Sequence, residues 1–494
     1  MSSSAARPSQ TAFAGTHGTH LKDLVVVAIA GLLFRFVLLF VAGESTRMTG
    51  DTVIYFQLAE NLLAGHGFSA SEAAPYLPFF GRVPAYPLFI AAVWAIAGKN
   101  HMALSVAQIV LDVLTIGLIW FTMNRRYGRW PAVVASGLYA LLPFAAGVSL
   151  QFMSESLAMF GLAAALACHE LAARSSVRGA CLGLAFISGL FWGLTTLARP
   201  YIAPVVVVVG VVLAYEIGRR ANNASLLRWQ GVPAIFAVGV GSFLVVGSWT
   251  LRNYIAAQET EQPFVLLQVR GTNPPYTNML TPGWRAWRDS YDEPFYWVDW
   301  HRPPKANYLS EEEKASVAKL WEHIAAHDGE VTPKMSEAFA EIAAARYRAA
   351  PFRLYVWRPI SLALKNWLSP RTSTLRLSVV ESETMPVSSR TIVYVFFGFN
   401  LILATFALLG WVGAAKTPGA ASASLLWTPP VVLTVVLVVI GARETRFNMV
   451  VFPSMCMAAG LGMTWALGAL RRYHQCRQRP AEGRGEKDVR CSLG

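Results

Sequence analysis

The sequence predicts an all-α polytopic membrane protein with about ten transmembrane helices, and two features of its composition lead to this prediction. Apolar residues make up 54% of the 494 residues and charged residues only 14%, whereas about 25% of a typical soluble protein is charged. The apolar residues also form blocks, such as residues 24–43, 232–251 and 391–413. Each block has about the 20 residues that a helix needs to cross roughly 30 Å of hydrocarbon.

Basic residues set the predicted orientation of these helices. The formal net charge is +13, and the basic residues cluster in short connectors such as 124–129 and in the tail 471–490. This distribution is typical of the cytoplasmic side of a membrane protein, and it argues against a nucleic-acid partner. We therefore predict a multi-pass protein of the plasma (inner) membrane whose basic tail is cytoplasmic.

The apolar segment 84–98 is predicted to be re-entrant or to lie at the membrane surface rather than to cross the membrane. It has roughly 15 residues, which span about 22 Å as a helix, and Pro84 and Pro87 stand in its first turn. With this segment at the surface, the arginine-rich connectors around residues 124–129, 174–178 and 219–228 fall inside. If it crossed instead, all later connectors would invert and the basic tail would be outside.

This topology divides the chain into several parts. They are a disordered N-terminal tail (1–20), a transmembrane module (21–251) with a first exterior loop (44–83), a large extracytoplasmic loop (252–390), the C-terminal transmembrane helices (391–470) and a basic cytoplasmic tail (471–494). In the large loop, Ser310 before a run of glutamates predicts one helix start, and Thr332 before Pro333 predicts another, since these residue types cap helices. The large loop is therefore expected to be folded.

Asp51, in the first exterior loop, is the strongest candidate for chemistry. It opens a short segment whose apolar side, formed by Ile54, Leu58 and Leu62, suits a helix lying along the membrane surface. On spacing alone, Asp51 is either the cap of this helix, a role that Asp favours, or a catalytic carboxylate. Arg35 is also unusual because it lies within the first apolar block, where a charge is usually functional or paired; the sequence does not identify its partner.

A series of short motifs follows the chain in order. They are Asp51 with Tyr55 and Ala59, Gly65–Phe68, Arg82–Phe89, Arg199–Pro200, Trp249–Tyr254, and Glu444–Phe447 with Pro453. Together these motifs resemble those of the GT-C superfamily of glycosyltransferases. More narrowly, they are similar to the family of protein mannosyltransferases and lipid A aminoarabinose (and galacturonic acid) transferases. The first-loop motif is the most specific of the series.

This resemblance implies transfer of a sugar from a polyprenyl-phosphate donor to an acceptor outside the cytoplasm. In the family an acidic residue of the first exterior loop is the general base, and Asp51 matches it. The chemistry agrees, because an inverting transfer needs one carboxylate to take the proton of the attacking hydroxyl, and a phosphate leaving group needs no general acid. Glu155 matches a second acid of the family's active site, although Glu replaces the more usual Asp.

Arginines are predicted to bind the donor phosphate, because a guanidinium group can hold a phosphate with two parallel hydrogen bonds. Arg82 matches the basic residue that the family has in the same loop. Arg199, Arg252 and Arg446 are predicted to emerge at the same face of the membrane. We expect all four to contribute to an anion site there.

Three further residues in the matching motifs are expected to contact substrate: Tyr55, Tyr86 and Glu444. The first exterior loop contains no Asp-x-Asp motif, and the cysteines show no metal-ligand spacing. We therefore predict neither a metal ion nor another cofactor. The predicted partners are a polyprenyl-phosphate sugar donor, an extracytoplasmic acceptor and membrane lipids.

Two other functions remain open for a chain of this class. A transporter is expected to show internal repeats and charges near the middle of the membrane, and neither feature is strong here. A lipid-linked glycan ligase or polymerase would have a large outer loop but would lack the Asp51 motif. The acceptor is also open, since a lipid A core sugar, another cell-envelope glycan or a protein hydroxyl would each fit.

Overall fold

The computed structural model of the protein describes residues 17–41, 48, 50–220, 231–260, 264–268, 281–291, 308–370, 387–416, 424–442 and 446–477. The earlier helices are α1 His17–Val41, α2 Gly50–Leu63, α3 Ala85–Ala97, α4 His101–Tyr127, α5 Arg129–Ala140, α6 Pro143–Leu150, α7 Glu155–Arg174, α8 Arg178–Ala198, α9 Ala203–Arg220 and α10 Gly231–Glu259. The later helices are α11 Pro282–Asp289, α12 Glu311–Ala326, α13 Pro333–Ala349, α14 Arg358–Leu368, α15 Val387–Lys416, α16 Ser424–Val439 and α17 Phe452–Arg477. No β-strand occurs in these described ranges, and the all-α prediction is confirmed.

The predicted polytopic architecture is confirmed as well. In the part of the chain that the structure describes, eight helical segments are long and apolar enough to cross a membrane, and the bent pair α5 and α6 makes a ninth. The apolar helix α16 is shorter, and counting it as a crossing gives the predicted number. α3 corresponds to the segment predicted at the membrane surface, and its 13 residues give a helix of only about 20 Å.

A break between α5 and α6 positions the chain segment that packs against the first turn of α2. The two helices meet at an angle of 50°, and α6 begins at Pro143, whose nitrogen has no hydrogen to donate to a continuing helix. The turn after α6 runs beneath α2, where the Thr52 hydroxyl donates a hydrogen bond to the carbonyl oxygen of Phe152 at 3.2 Å. The chain around residues 151–154 is thereby fixed against the first turn of α2.

The apolar side of α2 packs against other parts of the protein. Leu58 is fully buried, and Ile54 and Leu62 pack against the main hydrophobic core. The apolar periodicity of α2 therefore arises from tertiary packing. Spacing alone does not distinguish a face that packs on neighbouring helices from one that contacts lipid.

The loop between α10 and α15 contains a small helical domain with its own core. Trp284 and Trp287 of α11 pack against Trp321 of α12 and Phe339 of α13. Both predicted helix starts in this loop are confirmed. Side-chain oxygens cap both helices. The Ser310 hydroxyl accepts a hydrogen bond from a backbone nitrogen of α12, and the Thr332 hydroxyl accepts one from a backbone nitrogen of α13.

The partner of Arg35 is Asp112 of α4. Nε of Arg35 lies 2.5 Å from Oδ2 of Asp112, and both side chains are fully buried. The Tyr139 hydroxyl donates a hydrogen bond to the other carboxylate oxygen at 2.5 Å. This pair joins α1, α4 and α5 inside the apolar bundle, where either charge alone would be costly.

Candidate active site

Asp51 is held between two arginines that come from distant parts of the sequence. Its Oδ1 atom accepts a hydrogen bond from Nη2 of Arg82 at 2.7 Å, and its Oδ2 atom accepts one from Nη2 of Arg446 at 3.2 Å. Arg82 precedes α3, and Arg446 precedes the short helical turn that leads into α17. The Asp51 side chain is 22% exposed, so the carboxylate can be reached from outside the core. We call these three residues the Asp51 cluster.

The electrostatic surroundings keep Asp51 ionised. Burial of the carboxyl group by itself would raise its pKa, but the charges of Arg82, Arg446 and Arg199 outweigh this effect, helped by the hydrogen bond from Arg82. The pKa of Asp51 is therefore lowered from its ordinary value. At neutral pH the group is a carboxylate, the form that can accept a proton.

A second, more deeply buried ion pair joins Glu155 to Arg199. Glu155 begins α7 and Arg199 follows the last residue of α8, and their side chains are in direct contact. The Ser154 hydroxyl donates a hydrogen bond to the carbonyl oxygen of Ala198 at 3.1 Å, which ties the two chain segments together. Because the charge of Arg199 acts on Asp51, this pair and the Asp51 cluster form one electrostatic unit.

Tyr55 and Tyr86 lie underneath the Asp51 cluster. Their rings meet edge to face with centroids 5.0 Å apart, and the guanidinium carbon of Arg82 lies 6.0 Å from the centre of the Tyr55 ring. Tyr86 is only 1% exposed, and its hydroxyl donates a hydrogen bond to Oε1 of Gln108 at 2.5 Å. Tyr55 packs against Arg82 and Tyr86 packs against Tyr55, and the predicted contact of both tyrosines with substrate stays a prediction.

Arg252 lies apart from the Asp51 cluster. Its guanidinium donates hydrogen bonds to the carbonyl oxygens of Phe79 at 3.2 Å and Phe68 at 3.1 Å, and it also lies 4.9 Å from the ring centre of Trp249. Among the described residues it forms no ion pair with either carboxylate of the site. The four arginines predicted to share one anion site are therefore divided, with three near Asp51 and Arg252 in the wall of a cavity beside the first loop.

Two supporting residues were not identified from the sequence. Nη1 of Arg446 lies 3.5 Å from the sulfur of Met153. Nε2 of Gln108 donates to the carbonyl oxygens of Ser149, near the end of α6, and of Gln151, in the turn after it. Gln108 had a detectable signal, because it is a polar residue inside the largely apolar block 104–123. Met153 had none. Glu444, predicted to contact substrate, lies outside the described residues.

Within the described ranges, no group of three or more His, Cys, Asp or Glu side chains is arranged to hold a metal ion. Both carboxylates of the site are instead engaged by arginines. The arrangement can therefore bind an anion through guanidinium groups while it presents an ionised carboxylate nearby.

The fold is that of a multi-span membrane protein, and its candidate site combines an ionised carboxylate with arginines. Residues 78–246, about a third of the chain, match the family model described as dolichyl-phosphate-mannose-protein mannosyltransferase. The match includes Arg82, Glu155 and Arg199, and the resemblance predicted from the sequence motifs is confirmed. A comparison with curated proteins finds no match.

Solved structures with a similar fold include an oligosaccharyltransferase from Archaeoglobus fulgidus tethered with an acceptor peptide. It is 14% identical, with a TM-score of 0.50 over 97% of this chain and 53% of that chain, so the present chain spans about half of its length. ArnT from Cupriavidus metallidurans bound to undecaprenyl phosphate is 14% identical over 94% of this chain and 81% of that chain, with a TM-score of 0.35. The Pmt1-Pmt2 protein O-mannosyltransferase complex of S. cerevisiae is 15% identical over 48% of this chain and 34% of that chain, with a TM-score of 0.37.

Proposed function

We propose that this protein is an inverting glycosyltransferase that moves a sugar from a polyprenyl-phosphate donor to a hydroxyl group of an acceptor. The observation that carries the proposal is the ionised Asp51 carboxylate held between Arg82 and Arg446. The match to a mannosyltransferase family model supports the same reaction class. The active site is proposed to face the extracytoplasmic side of the inner membrane, because the basic connectors and tail are then cytoplasmic.

The reaction needs one proton acceptor and one anion site. The acceptor oxygen attacks the anomeric carbon of the donor sugar while its proton moves to the Asp51 carboxylate. The bond between the anomeric carbon and the phosphate oxygen breaks, and its electron pair leaves with polyprenyl phosphate. No acid is required for this leaving group, since the phosphate is already stable as an anion.

Arg82 and Arg446 are proposed to bind the donor phosphate. Both guanidinium groups are partly exposed, at 21% and 26%, and each has further donor atoms beyond the one that contacts Asp51. Charge-assisted hydrogen bonds from such groups stabilise the charge that develops on the leaving oxygen. Arg199 and Glu155 are proposed to position the site from the buried side, because their mutual contact leaves little room for substrate.

Donor binding is expected to raise the pKa of Asp51. In the free protein, the charges of nearby arginines lower this pKa; a bound phosphate would offset those charges and draw the hydrogen bonds of the arginines away. Asp51 would thus become a stronger base only when the donor is present.

This change predicts two different acid limbs in the pH profile. Activity requires ionised Asp51, so the rate falls as pH drops through its pKa. The limb of kcat/KM reports the free protein and the limb of kcat reports the bound complex, and we expect the kcat limb at the higher pH. Coincident limbs, or the reverse order, would show that the bound phosphate does not offset the effect of the arginine charges on the pKa of Asp51.

The experiment that tests the function is sugar transfer by membranes that contain the protein. A panel of polyprenyl phosphates, each carrying a different radiolabelled sugar, is supplied, and the release of free polyprenyl phosphate is measured against membranes without the protein. Release that depends on the protein for at least one donor is expected. If no donor in the panel is consumed, transport or ligation of a preassembled glycan becomes the better account.

A further inference from the structure

Two apolar cavities lie on opposite sides of α10. Residues on one side of this helix, among them Trp249 and Arg252, line the first cavity. Residues on the other side, among them Val246 and Thr250, line the second. This alternation is what a helix with 3.6 residues per turn produces when it forms the wall between two spaces. We call them the first-loop cavity and the α9–α10 groove.

The first-loop cavity suits an amphiphile with an anionic head. It has a volume of about 790 Å³ and is mostly apolar, with side chains from α2, α3, α8 and α10 in its lining. Its charged groups are Arg252 and Glu259, two turns apart on α10. Among the described residues Arg252 forms no ion pair, and its donor atoms contact only neutral oxygens. The hydrocarbon chain of the proposed donor fits this apolar lining, and its phosphate would extend past Arg252 to Arg82 and Arg446.

The α9–α10 groove has a different chemistry. Its volume is about 730 Å³, and its lining contains no Asp, Glu, Lys, Arg or His. Its hydroxyl groups are already used within the protein: Ser242 donates to the carbonyl oxygen of Gly189 at 2.9 Å, and Thr250 donates to that of Leu266 at 3.0 Å. A charged group would be poorly solvated here, whereas a hydrocarbon chain fits a space of this size and polarity.

The groove also opens sideways, so that a chain can enter it from the membrane. Val207 on α9 is 70% exposed and Phe243 on α10 is 72% exposed. Both belong to spans long and apolar enough to cross the bilayer. An entrance between them therefore leads into lipid, and a ligand need not pass through water to reach the groove.

Both spaces reach the turn that carries Arg199. Leu197 lines the first-loop cavity, while Thr196 and Ala203 line the α9–α10 groove. Arg199 stands between these positions and contacts Glu155, next to the Asp51 cluster. A lipid chain in either space would therefore bring its head group to the same small region.

We propose that the acceptor of this enzyme is itself a lipid, and that the α9–α10 groove holds one of its hydrocarbon chains while its head group reaches Asp51. The proposal rests on the proposed function, because it needs a donor that occupies a separate place. A transferase with two lipid-borne substrates needs two apolar spaces that meet at one site, and α10 provides the wall between them. An extended peptide acceptor would need hydrogen-bonding partners for its backbone, and the hydroxyls of the groove are already engaged.

Two glycines that line the groove allow it to be filled without disturbing the backbone. A Cβ atom added at Gly239 meets nothing within 4 Å, and one added at Gly210 meets only the Cγ2 atom of Ile235 at 4.0 Å. Leucine at Gly239 would therefore occupy the groove. Gly398 of α15 is a matched control, because a Cβ atom there also meets nothing within 4 Å and this helix does not line either space.

The test supplies the radiolabelled donor panel to membranes with the wild type, Gly239→Leu or Gly398→Leu, and separates the label into lipid, protein and water-soluble glycan. The lipid fraction is the organic-extractable label that thin-layer chromatography resolves from the unreacted donor. We expect label from the wild type in the lipid fraction. Gly239→Leu should reduce this lipid labelling by roughly tenfold, equivalent to about 1.4 kcal/mol, mainly through a higher KM for the acceptor. Gly398→Leu should match the wild type. Accumulation of each variant is measured on the same membranes.

Three results would overturn the proposal. They are wild-type label in protein, wild-type label in water-soluble glycan, or lipid labelling that Gly239→Leu leaves unchanged although the variant accumulates normally. If Gly239→Leu fails to accumulate, the distribution of wild-type label still decides the acceptor class, and Gly210→Leu repeats the test. Failure of the proposed function looks different, because no polyprenyl phosphate would then be released from any donor.

Discussion

Asp51→Asn is expected to lower the rate of sugar transfer by about 10³-fold, within the range for loss of a general base. Asparagine has nearly the same shape, and its side-chain oxygen can still accept a hydrogen bond from Arg82 or Arg446. It cannot take a proton from the acceptor hydroxyl. The loss should therefore fall on kcat, and the protein should accumulate in membranes as the wild type does.

Binding of the leaving group separates this chemical role from a structural one. Without the Asp51 charge, Arg82 and Arg446 keep their donor atoms and lose the carboxylate that competes with phosphate. Asp51→Asn should thus bind polyprenyl phosphate at least as tightly as the wild type while it fails to transfer sugar. Glu60→Gln is the matched control, since Glu60 lies on the same helix and pairs with Lys99. Equal transfer by Asp51→Asn and the wild type would remove Asp51 from the mechanism.

Arg446→Lys is expected to lower kcat/KM by about 10²-fold, as for the loss of one donor to a developing anion. Lysine keeps the positive charge but replaces the planar fork of donor atoms by a single ammonium group. It therefore cannot contact Asp51 and a phosphate oxygen in the same geometry. Measurement of polyprenyl phosphate release at varied donor concentration gives both kinetic constants.

The control for this substitution is Arg348→Lys. Arg348 is an exposed residue of α13, in the small helical domain between α10 and α15, and it should tolerate the change. A drop in transfer without weaker binding of polyprenyl phosphate would be compatible with a role for Arg446 in the transition state alone. Unchanged kinetics would show that the contact of Arg446 with Asp51 has no part in the reaction.

The sequence predicted the components of the site better than their arrangement. The first-loop motif singled out Asp51, Tyr55 and Arg82, which lie close together in the chain and in space. Arg446 is 395 residues away from Asp51, and no spacing rule predicts that contact. The predicted topology placed Arg446 on the same face of the membrane, and only the fold brings it to the carboxylate.

Where sequence reasoning failed, the reason was tertiary packing. Apolar periodicity on α2 predicted the helix but not the protein core that its apolar side packs against, because an apolar face contacts lipid or protein with equal ease. Arg252 had the same apparent signal as Arg199, yet α10 turns its side chain toward the first-loop cavity. The Arg35–Asp112 pair depends on two helices meeting inside the bundle, a contact that a single sequence does not specify.

The most direct measurement is the anomeric configuration of the transferred sugar, determined by NMR of the product made from a donor of known configuration. A single displacement by a hydroxyl that Asp51 has deprotonated inverts the anomeric carbon, whereas retention requires two displacements through a covalent intermediate. The account predicts an inverted product. A retained configuration would contradict it, because a carboxylate would then have to act as a nucleophile instead of a base.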